Sequence, residues 1–498
     1  MTTFYIEQFG CRATQADGAA IERQLRDRGF TVSPDSANAD VIVVNTCTVT
    51  AAADSQARDA IRKFHAANSA SRIIVTGCYA QRAPEELATL PGVSFVVGNS
   101  HKPQIPELVT AISTRNSDRA VLGEGTASAV PQGSAALGVL TREFGNGHSQ
   151  SIDEIARTSL HSISLQPQQI AETKILIGDI FQVRDVLVAP VLGGEGNHTR
   201  PTLKIQDGCD SRCSFCVIPF VRGKSRSLPP QAVITEIQKL VDSGFREIVL
   251  SGINLGTYGR DLSPRCEFED LLRRILDETS VEHLRISSIE PLDVTRDLIN
   301  LFASTDRIAP HFHMPLQSAS DRVLAAMRRW YRAEHYSRRV ELIQEYLPHA
   351  AIGADVIAGF PGETEQDHEA SLHFIQDRPF FYLHVFSYSL RPGTKAASLP
   401  HAVSAENIKR RARELRALSE AKSTTFRRAH SGRTLRALTL RREPDRDGAA
   451  TPALTSNYIS LRLPTILPGN QFVLVEMHSS GEFTLLDVPD SAAGAIST

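Results

Sequence analysis

The stretch from Lys204 to Pro219 reads K-I-Q-D-G-C-D-S-R-C-S-F-C-V-I-P and holds three cysteines, Cys209, Cys213 and Cys216, at C-x3-C-x2-C spacing. A tetrahedral zinc site or an ordinary iron–sulfur cubane takes four protein ligands. Three thiolates on one tight loop therefore suit a cubane whose fourth iron is left open, where a small molecule binds and reacts. The same spacing is compatible with three buried structural thiols, or with a zinc site whose fourth ligand lies elsewhere.

The composition is that of an ordinary globular protein. A length of 498 residues predicts about three domains, and the 41% of hydrophobic residues can bury a full core. Because the net charge is only -2, any surface for nucleic acid has to be local. The first residues do not read as a signal peptide, and no run of about 18 apolar residues predicts a membrane span. Seven cysteines, an odd number, favour a reducing, cytoplasmic compartment over a disulfide framework.

Residues 1–113 are predicted to form a small doubly wound α/β domain, because short apolar strands alternate with amphipathic helices. Strands are expected at residues 4–8, 41–44, 73–75 and 94–97, and helices at residues 16–29 and 51–67. Cys11, Cys47 and Cys78 each lie just past the carboxyl end of one of these strands. Because such ends share one edge of an open sheet, the three thiols are expected to converge there as a second three-thiolate site. A single buried free cysteine would be commonplace.

Residues 114–197 are rich in glycine, serine and other polar residues and hold no cysteine. We interpret them as an interdomain linker enlarged by an insertion, with short helical pieces near residues 152–165 and from residue 169. A structureless loop of this length is uncommon inside a compact domain. The G-G-E-G-N at residues 193–197 lacks the spacing and the lysine of a phosphate loop, which favours a flexible turn.

Residues 198–428 repeat a strand–helix unit. Strands are expected at residues 203–206, 247–250, 284–287, 311–315, 354–358 and 384–388. Six strands are too few for an eight-fold barrel, so we predict a partial (β/α)6 barrel. Polar and glycine-rich segments follow the strands, at the end that forms the active-site face of such barrels. A basic helix over residues 404–428 ends this part, either as a solvated face or as a contact for RNA.

Residues 429–490 alternate short apolar strands with turns, which predicts a small β-barrel. Arginines and a tyrosine on these strands are candidates for a basic, stacking surface that binds RNA. They are Arg436, Arg441, Arg442, Arg462 and Tyr458. Basic residues on strands also serve solubility, so this pattern alone does not decide the function.

The combined motifs resemble a known family. C-x3-C-x2-C at the start of a (β/α)6 repeat is similar to the radical S-adenosylmethionine (SAM) superfamily. Q-F-G-C, N-T-C-T-V-T, T-G-C-Y-A-Q, S-G-I-N-L-G-T-Y-G, S-S-I-E-P, H-M-P-L-Q-S, A-G-F-P-G-E-T and Y-S-L-R-P-G-T narrow the resemblance to the MiaB-like methylthiotransferases. The C-terminal barrel resembles the TRAM RNA-binding domain. The resemblance covers nearly the whole chain except residues 114–191.

Within that family, N-T-C-T-V-T and C-V-I-P-F-V-R-G most resemble the enzymes that act on N6-threonylcarbamoyladenosine. The resemblance implies addition of a methylthio group to carbon 2 of this base at position 37 of tRNA, in the anticodon loop. Two related activities stay open, on isopentenyladenosine-37 of tRNA and on an aspartate of a ribosomal protein. A non-enzymatic, metal-containing RNA-binding protein is the alternative from another class, although it has no need of the polar strand ends. Thr14 and Ala319 depart from the family pattern, which usually has Asn and Gly there.

The resemblance also implies the cofactors. Cys209, Cys213 and Cys216 would hold a catalytic [4Fe-4S] cluster that binds SAM and generates a 5′-deoxyadenosyl radical. Cys11, Cys47 and Cys78 would hold an auxiliary [4Fe-4S] cluster that carries or donates sulfur, and a second SAM would supply the methyl group. The expected partners are tRNA, an electron donor such as flavodoxin or ferredoxin, and a sulfur source.

Candidate SAM contacts follow the predicted strands, where backbone approach and polar anchors are useful. They are Phe215, Ile218, Gly252, Asn254, Ser288, Glu290, Gln317, Asp355 and Gly359. Phe215 and Ile218 flank the last cysteine of the loop and are expected to pack on the adenine. Cys266 has no partner at ligand spacing and is expected to play no part.

Overall fold

The computed structural model describes residues 2–121, 173–191, 199–443 and 447–487. The helical piece expected near residues 152–165 and the turn at residues 193–197 lie outside these residues. Among the described residues, no helix is both long enough and apolar enough to cross a membrane.

The N-terminal part is built on a six-stranded parallel sheet of order β2-β1-β3-β4-β5-β6. Its strands are β1 (Thr3–Gln8), β2 (Thr31–Val32), β3 (Val41–Thr46), β4 (Arg72–Gly77), β5 (Val93–Gly98) and β6 (Lys174–Leu176). Every residue of the central strand β3 is buried, as its unbroken apolar run predicts. The predicted doubly wound α/β fold is confirmed, because separate apolar clusters cover the two faces of the sheet.

The helices of this part are α1 (Arg12–Asp27), α2 (Ala51–Ala67), α3 (Cys78–Arg82), α4 (Pro84–Ala88) and α5 (Ile105–Val121). Helix α2 has the predicted bounds, and its N-cap Thr50 accepts a hydrogen bond from the N–H of Ala53. Helix α1 begins four residues earlier than predicted, directly after Cys11. The early start escaped the sequence analysis because Cys11 makes no side-chain capping bond and gives no cap signal.

The described end of the predicted linker belongs to the two folded parts. Strand β6 joins the edge of the N-terminal sheet beside β5, so the segment after residue 173 is a strand where the sequence suggested a helix. Strand β7 (Pro190–Val191) pairs antiparallel with β8 (Thr202–Lys204), the first strand of the next part. Both strands have two or three residues, which is too short for their apolar pattern to stand out in the sequence.

The central part is the predicted partial (β/α)6 barrel. Its six parallel strands are β8, β11 (Glu247–Ser251), β12 (His283–Ile286), β13 (His311–His313), β14 (Ala351–Ala358) and β15 (Tyr382–Ser387). They form two ladders, β8-β11-β12 and β13-β14-β15. Between β12 and β13 the ladders meet only at the bridges Leu284–Ile308 and Ser288–His313. The large apolar core lies between these strands and their helices.

A short antiparallel pair lies within the first unit of the barrel. Strand β9 (Gln206–Asp207) pairs with β10 (Arg226–Ser227), and the three cysteines of the opening motif lie in the hairpin between them. The helices of the barrel are α6 (Ile218–Arg222), α7 (Pro230–Asp242), α8 (Phe268–Glu278), α9 (Arg296–Ala303), α10 (Asp321–Ala326), α11 (Ala333–Tyr346) and α12 (Glu365–Gln376).

The C-terminal part follows the basic helix α13 (Ala405–Ala429) and is one five-stranded antiparallel sheet of order β18-β17-β16-β19-β20. The strands are β16 (Thr434–Thr439), β17 (Thr451–Thr455), β18 (Ser460–Leu463), β19 (Phe472–Met477) and β20 (Phe483–Asp487). This half-barrel confirms the TRAM-like fold. The sequence analysis missed β17, because a strand reading T-P-A-L-T is interrupted by Pro452, which cannot donate a ladder hydrogen bond.

Two of the arginines that were predicted to bind RNA make contacts within the protein. The guanidinium of Arg436 lies 3.5 Å from the centroid of the Phe472 ring and pairs with Glu282. Arg442 donates to the carbonyl oxygens of Ala450 and Gly448. Arg442 is therefore engaged within the sheet, and Arg436 ties the sheet to the barrel through Glu282.

A buried ionic network joins the N-terminal part to the barrel. Asp17 of α1 accepts hydrogen bonds from Lys102 and Lys204, and from Arg222 at 3.0 Å. Asp207 of β9 pairs with the same Lys204 and Arg222. Burial alone would raise the pKa of Asp17, but Lys102, Lys204 and Arg222 lower it well below the usual range.

Asp17→Asn is expected to lower the free energy of unfolding by about 3–5 kcal/mol, because the buried Lys102 loses its carboxylate partner while Lys204 and Arg222 each lose one of two. Since the native pKa of Asp17 is lowered, its stabilisation is present above the unfolded pKa of about 4 and is lost as the pH falls through the folded pKa. Urea unfolding followed by circular dichroism at pH 7 measures the first effect, and the same experiment at a series of pH values from about 4 down to about 2 measures the second.

The matched control is Asp59→Asn, which removes an exposed pair with Arg62. It should change the free energy of unfolding by less than ~1 kcal/mol. Equal urea midpoints for the two variants would contradict a structural role for the network.

Candidate active site

The hairpin between β9 and β10 holds the first cysteine triad, Cys209, Cys213 and Cys216. The N–H of Cys209 donates to the carbonyl of Gly223 at 3.1 Å, and the N–H of Cys216 donates to the carbonyl of Cys213 at 3.1 Å. Gly208 precedes the triad with φ +72°, and a Cβ there would lie 1.9 Å from the carbonyl oxygen of Lys224. The loop therefore turns sharply and brings its three thiols to one side of the barrel.

The thiols of this hairpin influence one another's pKa values electrostatically. Burial, followed by the neighbouring Cys213 thiol, raises the pKa of Cys216 to about 12, and burial also raises the pKa of Cys209. Arg329 donates to the sulfur of Cys213 at 3.2 Å and pairs with Glu290. As anions, these sulfurs would repel one another, and only one guanidinium lies beside them. A cationic metal cluster would stabilise them as thiolates, so the three cysteines are a suitable donor set for one.

The second triad lies at the carboxyl edge of the N-terminal sheet. Cys11, Cys47 and Cys78 follow β1, β3 and β4, which are neighbours in that sheet. A Cβ on Gly10 would lie 2.2 Å from the Cβ of Cys47, so the chain before Cys11 touches Cys47. Burial, followed by Cys78 and Cys11, raises the pKa of Cys47 to about 11. The predicted convergence of these three cysteines is therefore observed.

The two triads face each other across helix α6. Cys78 packs against Val217, which directly follows Cys216, and against Val221 in α6. Asn99 donates one hydrogen bond to the carbonyl of Val221 at 2.7 Å and a second to the sulfur of Cys78 at 3.6 Å. All seven cysteines of the chain are free, so none of these thiols is engaged in a disulfide.

A cavity of about 230 Å³ opens between the two parts of the chain. Val49 and Thr50, just after Cys47, form one side of it. The opposite side comes from the cysteine hairpin and from the last barrel strands, through Cys216, Phe215, Ile218, Gln317, Asp355, Ile357, Phe386 and Tyr388. The buried hydroxyl of Tyr388 has no hydrogen-bond partner among the described residues. The cavity is therefore mostly apolar, has a few polar groups and adjoins a triad cysteine, as a site for SAM beside a cluster would require.

The predicted SAM contacts divide into two groups. Phe215, Ile218, Gln317 and Asp355 line the cavity together with Cys216. Glu290 reaches this region through Arg329, which also contacts Cys213. These side chains come from distant segments, and the fold brings them to one place.

The remaining predicted contacts lie outside the lining of this cavity. The N–H of Asn254, two residues after Gly252, donates to the side chain of Gln206 at 2.8 Å. Ser288 forms the bridge to His313. Gly359 has φ +82°, its N–H donates to Glu363 at 2.6 Å, and a Cβ there would lie 2.3 Å from a side-chain carbon of Ile408 in α13. Gly359 therefore serves the contact between the barrel and its C-terminal helix.

A row of histidines and tyrosines lines the inside of the barrel, and the sequence analysis did not assign it. His313 hydrogen-bonds to Asp355 and to the hydroxyl of Tyr382, both at 2.9 Å. The Tyr458 ring enters from the C-terminal sheet and stacks on His311 with centroids 4.2 Å apart. Tyr458 is thus partly buried with its ring engaged by His311, and a contact of this side chain with RNA stays a prediction.

No spacing rule singles out Arg329, Asn99 or these barrel histidines. His313 occurs in the motif H-M-P-L-Q-S, but the partners that give it a role lie on β14 and β15. One sequence signal for the barrel histidines is available. Polar residues stand at every second position of two strands, His311 and His313 in one and Tyr382 and His384 in the other, and residues so spaced point to the same side of a strand.

Two family models match the chain. Residues 3–98 match the model described as "Uncharacterized protein family UPF0004", and residues 203–375 match the "Radical SAM superfamily". The solved radical SAM methyltransferase TsrM from Kitasatospora setae is similar, with a TM-score of 0.51 over 80% of this chain and 74% of that chain. At 16% identity this likeness concerns the fold alone.

Relatives of known name cover most of the chain. The threonylcarbamoyladenosine tRNA methylthiotransferase MtaB of Aquifex aeolicus is 34% identical over 92% of this chain and 95% of its own length. The chain belongs to the radical SAM methylthiotransferase family. The methylthiotransferase is also 31% identical to the tRNA-2-methylthio-N(6)-dimethylallyladenosine synthase of Streptomyces coelicolor, over 99% of this chain and 89% of that protein. The family predicted from the motifs is therefore confirmed.

We expect the iron-free methylthiotransferase to react with iodoacetamide at Cys11 well before Cys47. Cys11 is exposed, whereas Cys47 is buried with a pKa raised to about 11. At pH 8 its thiolate fraction is on the order of a hundredfold below that of an ordinary thiol. Peptide mass spectrometry on timed samples gives the two rates. The difference should disappear in urea, and equal rates in the native protein would show that the second triad is open to solvent.

Proposed function

We propose that this chain is a radical SAM methylthiotransferase that adds a methylthio group to carbon 2 of N6-threonylcarbamoyladenosine-37 in tRNA. The observation that carries the proposal is the pair of cysteine triads around one cavity: Cys216 of the first triad lines it, and Val49 and Thr50, which follow Cys47 of the second triad, form its other side. A binding protein with a single structural metal site has no use for two facing triads. The names of the relatives from Aquifex aeolicus and Bacillus subtilis, the latter 35% identical over 84% of this chain, support the choice of substrate.

In this proposal Cys209, Cys213 and Cys216 hold the catalytic [4Fe-4S] cluster that binds SAM, and Cys11, Cys47 and Cys78 hold the auxiliary [4Fe-4S] cluster. When bound, these groups and SAM supply radical cleavage of an unreactive C–H bond, sulfur and a methyl group. The chemistry calls for an external one-electron donor such as flavodoxin or ferredoxin and for a source of sulfur. We place the reaction in the cytoplasm, where tRNA is found.

The protein's own residues position and shield the reacting groups. Phe215 and Ile357 contribute apolar walls that keep water from the cavity. Arg329, held by Glu290, donates a hydrogen bond to the sulfur of Cys213 and so orients this side chain. In the proposed complex, Gln317 and Asp355 offer polar contacts to the ribose or amino acid moiety of SAM.

A salt bridge fixes the two sides of the cavity to each other. Arg391 lines the cavity and donates to Asp54 of the N-terminal helix α2 at 2.5 Å, and both side chains are buried. Nearby, the N–H of Ala51 donates to the side chain of Ser389 at 3.2 Å. The distance between the two triads is thus set before any substrate binds, which lowers the cost of orienting the reacting groups.

The RNA-facing surface is proposed from exposed residues around the cysteine hairpin. Trp330 is 79% exposed and shares a groove with Asp210, Arg260 and Arg265. A solvent-exposed tryptophan beside arginines is suited to stack an unpaired base and to bind the adjacent phosphates of a loop. This surface fits an anticodon loop, in which position 37 is unpaired.

Two cysteine variants test the division of labour. Cys213→Ala should abolish SAM cleavage in the reconstituted enzyme, because the catalytic cluster loses one of its three ligands. Cys47→Ala should leave SAM cleavage in place and stop methylthiolation. Iron content, release of 5′-deoxyadenosine and nucleoside mass spectrometry are the measurements. Cys266→Ala is the control and should change none of them. Methylthio product from Cys47→Ala, or iron for one cluster at most in the wild type, would contradict the two-cluster assignment.

The substrate is tested by nucleoside mass spectrometry of tRNA from a strain that lacks the gene. The 2-methylthio derivative of N6-threonylcarbamoyladenosine should disappear and its unmethylthiolated precursor should accumulate. Loss of the 2-methylthio derivative of isopentenyladenosine instead would assign the activity of the Streptomyces coelicolor relative. If both nucleosides persist and a ribosomal protein aspartate loses its methylthio group, the substrate is a protein.

A further inference from the structure

Arg12 is an unpaired cation between the second cysteine triad and the inside of the barrel. It is the first residue of α1 and directly follows Cys11. The side chain is partly buried, and within the described part of the chain it makes no hydrogen bond, ion pair or ring contact. The other arginines that border the site are paired, Arg329 with Glu290, Arg391 with Asp54 and Arg222 with two aspartates.

The positive charge of Arg12 acts on the aromatic row inside the barrel. Burial, followed by Arg285, His313 and Arg12, lowers the pKa of His311 well below its ordinary value. The pKa of Tyr382 is raised by burial and by Tyr458, and Arg12 opposes this shift. Arg12 therefore lies close to these rings although it starts in the N-terminal part of the chain. The helix α1 that begins with Arg12 packs against β8 of the barrel.

The polar residues next to the gap between the second triad and the barrel belong to the barrel wall. Asp355 lines the cavity and accepts from His313, and the Nδ1 of His384 lies 3.3 Å from the same carboxylate oxygen. The side chain of His384 is 54% exposed. Asp355 is thus occupied by two histidines and leaves Arg12 without a carboxylate partner. A partly buried cation with no counter-ion is costly, so an anion in the gap would be bound favourably.

We propose that Arg12 determines the specificity for the modified base, by pairing with the carboxylate of its threonylcarbamoyl group. This inference rests on the proposed function. The threonine moiety ends in a carboxylate, whereas an isopentenyl group is a hydrocarbon and offers nothing to a guanidinium. Arginine binds a carboxylate through two parallel hydrogen bonds, which fixes the orientation of the base as well as its affinity. A base held there lies beside Cys11 of the second triad, where its carbon 2 has to receive sulfur.

The test compares two substrates and three enzymes. The substrates are tRNA that carries N6-threonylcarbamoyladenosine-37 and the same tRNA with its threonine carboxylate converted to a methyl amide. The enzymes are the wild type, Arg12→Met and Arg12→Lys, each reconstituted with iron and sulfide. Because hydrogen bonds to charged groups contribute about 1.5–3 kcal/mol, Arg12→Met should lower kcat/KM for the natural tRNA about 10- to 100-fold, mainly through KM. Arg12→Lys should recover part of that loss.

The amide substrate separates pairing with the carboxylate from a general structural effect. The wild type should lose about as much on the amide as Arg12→Met loses on the natural tRNA, and Arg12→Met should lose little more on the amide. Arg26→Met on the same helix is the matched control, because Arg26 is exposed and pairs only with Glu22. It should behave as the wild type on both substrates. Iron content of every variant checks the triad beside Arg12.

The outcomes distinguish this inference from the proposed function. A wild type that does not methylthiolate the natural tRNA overturns the proposed function and the role of Arg12 with it. A wild type that is active on the natural tRNA and equally active on the amide overturns the role of Arg12 alone, whatever the variants do. Equal losses of Arg12→Met on both substrates also overturn it, because the effect would then be independent of the carboxylate.

Discussion

The buried ionic network around Asp17 is the constraint on which the site depends. Charges that are removed from water have to be paired within hydrogen-bond distance, so the network fixes the elements that carry them. Asp17 lies on the helix that starts after Cys11, and Asp207 lies two residues before Cys209. Lys204 and Arg222 bond to both carboxylates. Pairing these charges therefore sets the position of one cysteine triad relative to the other.

The network also carries more positive than negative charge. Asp17 and Asp207 face four cations, Lys102, Lys204, Arg222 and Arg226. Burial lowers the pKa of Arg222, but Asp207, Cys78, Asp17 and Cys11 raise it well above the ordinary value. The surplus lies beside the thiols of the second triad, which would become anionic thiolates on binding a metal cluster. The same charges thus hold the two parts of the chain together and stabilise the charge of the site.

Most of the fold follows from local patterns in the sequence. The apolar runs of β3 and β4 are buried on both faces, and the repeat of strand and helix predicts the six-stranded partial barrel. The errors occur where local signals are weak or conflict. Helix α1 starts without a capping side chain, and β17 contains Pro452. The short strands β6 and β7 are stabilised by pairing with β5 and β8, which their own sequences do not indicate. The convergence of Cys11, Cys47 and Cys78 was predictable because each follows a parallel strand of the same sheet, and the ends of such strands share an edge.

The sequence by itself determined the two cysteine triads as candidate ligand sets and the family, since these depend on spacing and on short motifs. Only the tertiary structure decided which other side chains meet there. Arg329 reaches Cys213 from more than a hundred residues away, Tyr458 fills the barrel from the C-terminal sheet, and Arg12 is left unpaired. Such contacts depend on how three separately folded parts pack. Whether a cation such as Arg12 has a partner is determined only when all neighbouring elements have packed around it.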